Sequence, residues 1–319
     1  MAKQNTEDEL HRINAIRDTN NETELREALK RGLGNRSGLI VGKAAEVIAE
    51  RMITGLDVEL VRAYQRLSKN SLKSDRGCRG KAGVVDALYH LGAMEIDLYL
   101  DAVRLKQLEP VWGGHEDTAV CVRSVAALAL VRANYHDVMN ELAGLLADEQ
   151  HTARIGAAKA IGYRGLADGE PLLRLKVLSG DSDQEVLAEC MTSILAIAGE
   201  AGLDFVKHQL EKNDHPRWRA AAVALGQSRD ERAFDVLHEN FERTLDRQSR
   251  ADLLTAMAML RQETATHFMV GLMRHGNNVT AQETIQALSM YHYDGKLKDR
   301  LLDAAEDSEL AALINDVFD

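Results

Sequence analysis

The chain has 319 residues, 45% of them apolar but only 4% aromatic, with three prolines and a net charge of −11. Scarce proline permits helix nearly everywhere, and scarce aromatics leave a core to be built from Leu, Ala, Val, Ile and Met. Residues 1–110 carry 18 Lys+Arg against 17 Asp+Glu, whereas residues 111–319 carry 21 against 33; that acidic excess argues against nucleic acid as a partner, because a phosphate backbone needs basic surface.

In chain order, residues 1–21 read as loosely ordered or weakly helical. Thr23 to Arg31 and Leu39 to Ile53 read as helices. Val58, Val61, Tyr64 and Leu67 recur at helical spacing, which predicts an amphipathic helix from Val58 to Asn70. Ala82, Val85, Leu88 and Tyr89 mark another from Arg79 to Leu91, and Ile96 to Leu108 follows. Glu109 to Glu116 breaks this rhythm with Pro110, Trp112, Gly113 and Gly114 and reads as an inserted loop.

From Asp117 onward the sequence repeats itself. Ala153-Arg154-Ile155-Gly156-Ala157-Ala158-Lys159-Ala160-Ile161-Gly162 is matched upstream from Val122 and downstream from Trp218. The corresponding positions Arg123, Arg154, Leu187, Trp218, Arg250 and Ala281 are 31, 33, 31, 32 and 31 residues apart. A fixed period of this size marks a stacked array, in which one unit cannot bury its apolar face alone. Each unit reads as an Ala-rich helix, a turn, a second helix and an acidic turn. The second helices are expected at Val138–Ala147, Glu170–Leu178, Leu203–Lys212, Ala233–Leu245 and Ala265–Arg274, and Gly162, Gly199 and Gly226 are expected to end helices. Asp117, Asp148 and Asp181 each precede a repeat position by six residues, where they can cap a helix and, facing Arg, link neighbouring units.

On Asp148…Arg154-x-x-Ala157-Ala158-x-Ala160-Ile161-Gly162 and its copies, the chain resembles the HEAT-repeat family in its bacterial form, related to the repeats of phycobilin lyases. The resemblance covers residues 117–295 well and 22–108 loosely. It implies an all-α fold: a right-handed superhelical α-solenoid of stacked antiparallel helix pairs. The expected organisation is an N-terminal segment (1–21), diverged repeats (22–108), the inserted loop (109–116) and regular repeats with a C-terminal cap (117–319), all in one continuous solenoid. It implies no activity, because function lives in sites grafted on folds.

Three chemistries known on similar folds can be set against the residues. Deoxyhypusine hydroxylase, which resembles this chain in fold, binds two irons through His-Glu pairs at repeated helix starts. The pairs here, His115-Glu116 and His238-Glu239, fall at different points of their units, and the unit starts read Val122-Arg123, Ala153-Arg154 and Trp218-Arg219. No metal ligand set or cofactor is expected. HEAT-like alkylpurine DNA glycosylases use a basic face with aromatics; Arg217, Trp218 and Arg219 give a small version of it, along which Arg123, Arg154 and Arg250 could lie. Bilin lyases present a groove for an open-chain tetrapyrrole, and no motif here selects a bilin. No catalytic residue is expected. The function read from the chain is a non-catalytic scaffold that binds another protein on the concave face, with a bilin-lyase-like or base-repair-like protein as the alternative.

Two local features point to partner contacts. Trp112, beside Gly113-Gly114-His115, either packs back on the core or anchors a partner through Trp112 and His115. Arg62 to Lys81 holds seven cations against one acid, Asp75; within it Arg62, Arg66, Lys69 and Lys73 follow at helical steps and are expected on one face, able to meet an acidic partner or a phosphate. Cys78, Cys121 and Cys190 lack metal spacing, residues 1–21 are polar, and no apolar run is expected to approach a membrane span; a cytoplasmic setting without membrane contact follows.

Overall fold

The computed structural model describes residues 2–211, 214–305 and 308–318. It divides between Gly165 and Leu166 into two compact units.

The first unit contains α1 (Ala2–Ile16), α2 (Glu22–Leu33), α3 (Gly38–Glu50), α4 (Asp57–Ser68), α5 (Ser71–Ser74), α6 (Arg79–Leu91), α7 (Ile96–Val103), β1 (Leu108–Val111), β2 (Gly114–Asp117), α8 (Val120–Arg132), α9 (Val138–Leu146) and α10 (His151–Arg164). Within the N-terminal segment, read as loosely ordered or weakly helical, Ala2–Ile16 forms the helix α1; it packs on α2 and α3, with Ile13 buried against Gly32. Inner helices α3, α6, α8 and α10 stack in succession, while α4, α7 and α9 pack alongside α6, α8 and α10.

Small residues set this stack. An added Cβ at Gly83 would lie 3.0 Å from the Cα of Gly42, and one at Gly156 would lie 2.9 Å from the Cα of Ser124. Backbones approach this closely only without side chains between them. Ala157, Ala158 and Ala160 are fully buried on the same seam.

The second unit contains α11 (Glu170–Ser179), α12 (Gln184–Leu210), α13 (His215–Ser228), α14 (Glu231–Arg243), α15 (Arg247–Met259), α16 (Glu263–His275), α17 (Asn278–Leu288), α18 (Gly295–Ala304) and α19 (Ser308–Phe318). Helices α12, α13, α15, α17 and α19 stack in succession, and α14, α16 and α18 pack beside them. The fold is an all-α helical-repeat fold of paired, stacked helices, as the repeat predicts. Leu203–Lys212 falls within α12, although Lys212 itself lies outside the described residues.

Three expectations need correction. Gly162 and Gly226 lie inside α10 and α13, not at their ends; the end of α10 is Gly165, and Gly226 instead sits where a Cβ would meet the Ala256 carbonyl oxygen at 2.6 Å. Asp117, Asp148 and Asp181 cap turns rather than helices, accepting from the N–H groups of Ala119, Gln150 and Asp183. Finally, α12 is long and apolar enough to cross a membrane by length and composition. It is broken at Gly199 (φ 53°, ψ −118°), and half of its apolar window is buried inside the protein, so it forms two array helices in sequence.

Candidate partner-binding surfaces

The segment expected as a loop is a β-hairpin. Leu108 pairs with Asp117, Glu109 with Glu116, Pro110 with His115 and Val111 with Gly114. Trp112-Gly113 makes the tip, and Gly113 supplies the positive φ of 88° that the tight turn requires.

A two-stranded hairpin alone is marginal in water; this one is pinned by buried charge. Asp75, Lys81, Gln107 and Glu109 are all buried at its base. The Lys81 ammonium lies 3.6 Å from an Asp75 carboxylate oxygen and donates to Gln107 Oε1 at 2.5 Å. The Gln107 amide donates to the Asp75 carbonyl and to Glu109 Oε1, each at 2.7 Å. Glu109 Oε1 also accepts from the Gly77 N–H at 2.6 Å and the Thr118 hydroxyl at 2.9 Å. Burial works against the Glu109 carboxylate, but these three donors outweigh it and hold its pKa below the ordinary value.

A second buried ion pair continues the network. Arg123 donates to Asp117 at 2.7 Å, to the Leu105 carbonyl at 2.7 Å and to Asp148 of the next repeat at 3.2 Å. Burial again raises the Asp117 pKa, and the N–H groups of Gln107 and Ala119 with Arg123 bring it below its usual value. Cys78, fully buried in this base, has its thiol pushed up to about 12 by burial, with Lys81 opposing.

Trp112 stands on this base with 103% relative exposure, flanked by exposed Val111 and Leu108. Packing against the core, one of the two sequence readings, is therefore excluded. His115 is exposed on β2.

The basic segment does not make one face. Arg62 and Arg66 lie on α4, Lys69 ends it, and Lys73 belongs to the separate turn α5. Arg66 is half-buried and donates to the carbonyls of Leu33 and Asn35 at the end of α2. Lys81 belongs to the hairpin base. Arg62, Lys69 and Lys73 stay exposed. The lone acid among these cations was the sequence signal for the buried network; nothing in the sequence showed that Gln107 and Glu109 complete it, because they arrive from the hairpin.

Arg217, Trp218 and Arg219 diverge, since consecutive helical residues lie about 100° apart. Arg217 pairs with Asp214 at 3.3 Å. Trp218 is half-buried beside His215, with ring centroids 6.0 Å apart. Arg219 makes a two-pronged pair with Asp252 at 2.6 and 3.1 Å. The expected basic row fails too: Arg123 and Arg154 are buried, and Arg154 and Arg250 donate to the carbonyls of Asp148 and Phe241. These arginines satisfy helix-end carbonyls instead of presenting charge.

The Arg219–Asp252 pair borders a groove of about 280 Å³ across α12, α13 and α15, floored by Ala188, Ala220, Val223, Ala256 and Met259. His238 stacks on Phe234 with ring centroids 5.6 Å apart and packs edge-on to Phe268. Among the described residues no group of three His, Cys, Asp or Glu could hold a metal ion.

No protein-family model matches the chain, and no curated protein matches it. Among solved structures, the complex of CpcE and CpcF of phycocyanin lyase from Nostoc sp. PCC7120 is similar at 16% identity, over 80% of this chain and 94% of that one, with a TM-score of 0.38. An engineered protein is similar at 15% identity, over 97% and 98% of the two chains, with a TM-score of 0.33. At these values the likeness assigns this chain no activity.

Proposed function

We propose that this chain is a non-catalytic protein-interaction scaffold, acting in the cytoplasm, that grips a protein partner through the Trp112 hairpin and offers the face of its Ala-rich helices as contact area. The carrying observation is a fully exposed tryptophan held on a rigid base of buried ion pairs. A Trp side chain buries roughly 150–250 Å² when sheltered, and hairpin rigidity lowers the ordering cost of docking it. The apolar groove between α12, α13 and α15 is a second contact surface, and exposed Arg62, Lys69 and Lys73 favour an acidic rim on the partner. The paired Arg219, the buried Arg123 and Arg154 and the acidic charge all weigh against nucleic acid.

The test compares wild type with Trp112→Ala against a partner recovered from native extract, measuring affinity and unfolding together. Affinity is expected to fall by at least ~2 kcal/mol, about 30-fold, with stability unchanged. Equal affinity for both would remove the hairpin from the interface. Val223→Glu makes the same comparison for the groove, and unchanged binding by that variant would remove it.

A further inference from the structure

Two arginines in the second unit occupy a backbone conformation that helix ends usually give to glycine. Ala-rich helices α8, α10, α13 and α15 are followed by Asn134 (φ 51°), Gly165 (φ 68°), Arg229 (φ 54°) and Arg261 (φ 57°). A long side chain there carries a steric cost that glycine avoids.

Arg261 borders a cleft of about 760 Å³ that it shares with Tyr291, Tyr293, Lys296 and Asp299. A lobe of about 320 Å³ adjoins it, reaching Gln262, Thr266 and Arg300. The charges sort themselves. Arg300 pairs with Glu263 at 2.9 Å. Asp294 caps α18, accepting from the N–H groups of Lys296 and Leu297 at 3.0 and 3.1 Å. Arg261 hydrogen-bonds the Tyr291 side chain, and neither it nor Lys296 makes an ion pair among the described residues. Both face the cleft, with Asp299 as the uncommitted acid. The walls are aromatic: the Tyr291 hydroxyl donates to the Ala258 carbonyl and fixes that ring, while Tyr293 is 92% exposed with its centroid 3.7 Å from that of His292.

We propose that this cleft binds a small phosphate monoester carried on a planar ring, of the nucleoside monophosphate class, with the phosphate on Arg261 and Lys296 and the ring against Tyr293. The cleft is open to solvent and has room for such a molecule. Guanidinium geometry matches phosphate oxygens, and an exposed tyrosine stacks bases whatever their identity. The Asp299 carboxylate can accept a sugar hydroxyl.

The experiment is calorimetric titration with AMP, inorganic phosphate and adenosine, together with thermal unfolding. AMP is expected to bind at least about tenfold more tightly than phosphate or adenosine alone. Arg261→Gly removes the charge while relaxing the backbone, so it is expected to keep or raise the unfolding temperature and yet lose at least about tenfold in AMP affinity. Arg261→Lys keeps charge in the same conformation and should retain more affinity than Arg261→Gly. Tyr293→Ala should erase the advantage of AMP over phosphate. No AMP binding at millimolar concentration, or Arg261→Gly binding like wild type, would overturn the site; phosphate binding as tightly as AMP would overturn the ring contact and with it the ligand class.

Discussion

The base of the hairpin and the seam between α13 and α15 solve the same problem by different physics. At the seam, Ala220, Ala221, Ala222 and Ala224 are buried, and Gly226 lets one helix lie on the carbonyl of the next. Charge enters through the Arg219–Asp252 pair at its edge, but the buried contact is close packing of small side chains. The hairpin has no apolar core of its own. It is held by Lys81, Asp75, Gln107 and Glu109, each removed from water and each hydrogen-bonded. Packed small residues fail gradually as volume changes. A buried ion network fails abruptly, because loss of one partner strands another charge in a low dielectric.

That contrast can be broken in order of expected size. Lys81→Met should cost about 3–5 kcal/mol in urea unfolding, since Asp75 loses its counter-ion while both remain buried. A cost under ~1 kcal/mol would mean that water already reaches the hairpin base. At the seam, Gly226→Ala should cost on the order of 1–3 kcal/mol, because the added methyl meets backbone that cannot turn aside. Ala158→Leu, fully buried between inner helices of the first unit, belongs to the same range. Unchanged urea midpoints for both would show that the stack yields more readily than its spacing implies.

A smaller effect depends on acidity. The pKa values of Glu109 and Asp117 are lowered in the folded protein, so their contribution is fully present above the unfolded carboxylate range and is lost as pH falls through the folded values. The hairpin should therefore loosen below roughly pH 4, before the seam does. Trp218→Phe leaves Trp112 as the sole tryptophan, and its fluorescence anisotropy should fall in that range while far-ultraviolet helicity persists. Simultaneous loss of both signals would merge the two regions into one cooperative unit. The smallest prediction is chemical: Cys121 is exposed, whereas Cys78 and Cys190 are buried with thiols pushed up to about 12 by desolvation. Iodoacetamide at neutral pH should modify Cys121 alone in the folded protein, and early labelling of Cys78 would reveal an open hairpin base.

The sequence by itself determined the repeat. A period of 31–33 residues, alanines at tight positions and scarce proline leave few alternatives to stacked helices, because these are local signals that chain neighbours can carry. It also located the insertion, through Pro110 and paired glycines, and marked Trp112 as unusual. Tertiary structure decided what those residues do. Arg123, Arg154 and Arg250 look like surface charge in a linear reading, but they turn inward to carbonyls of other elements. Lys73 looks continuous with Arg62 until α4 ends and the chain turns. The Asp75–Lys81 pair meets Gln107 and Glu109 only when the hairpin folds back across some thirty residues of sequence. Burial and pairing are properties of three-dimensional neighbours, and a long polar side chain carries no local mark of whether it ends in water or on a distant backbone.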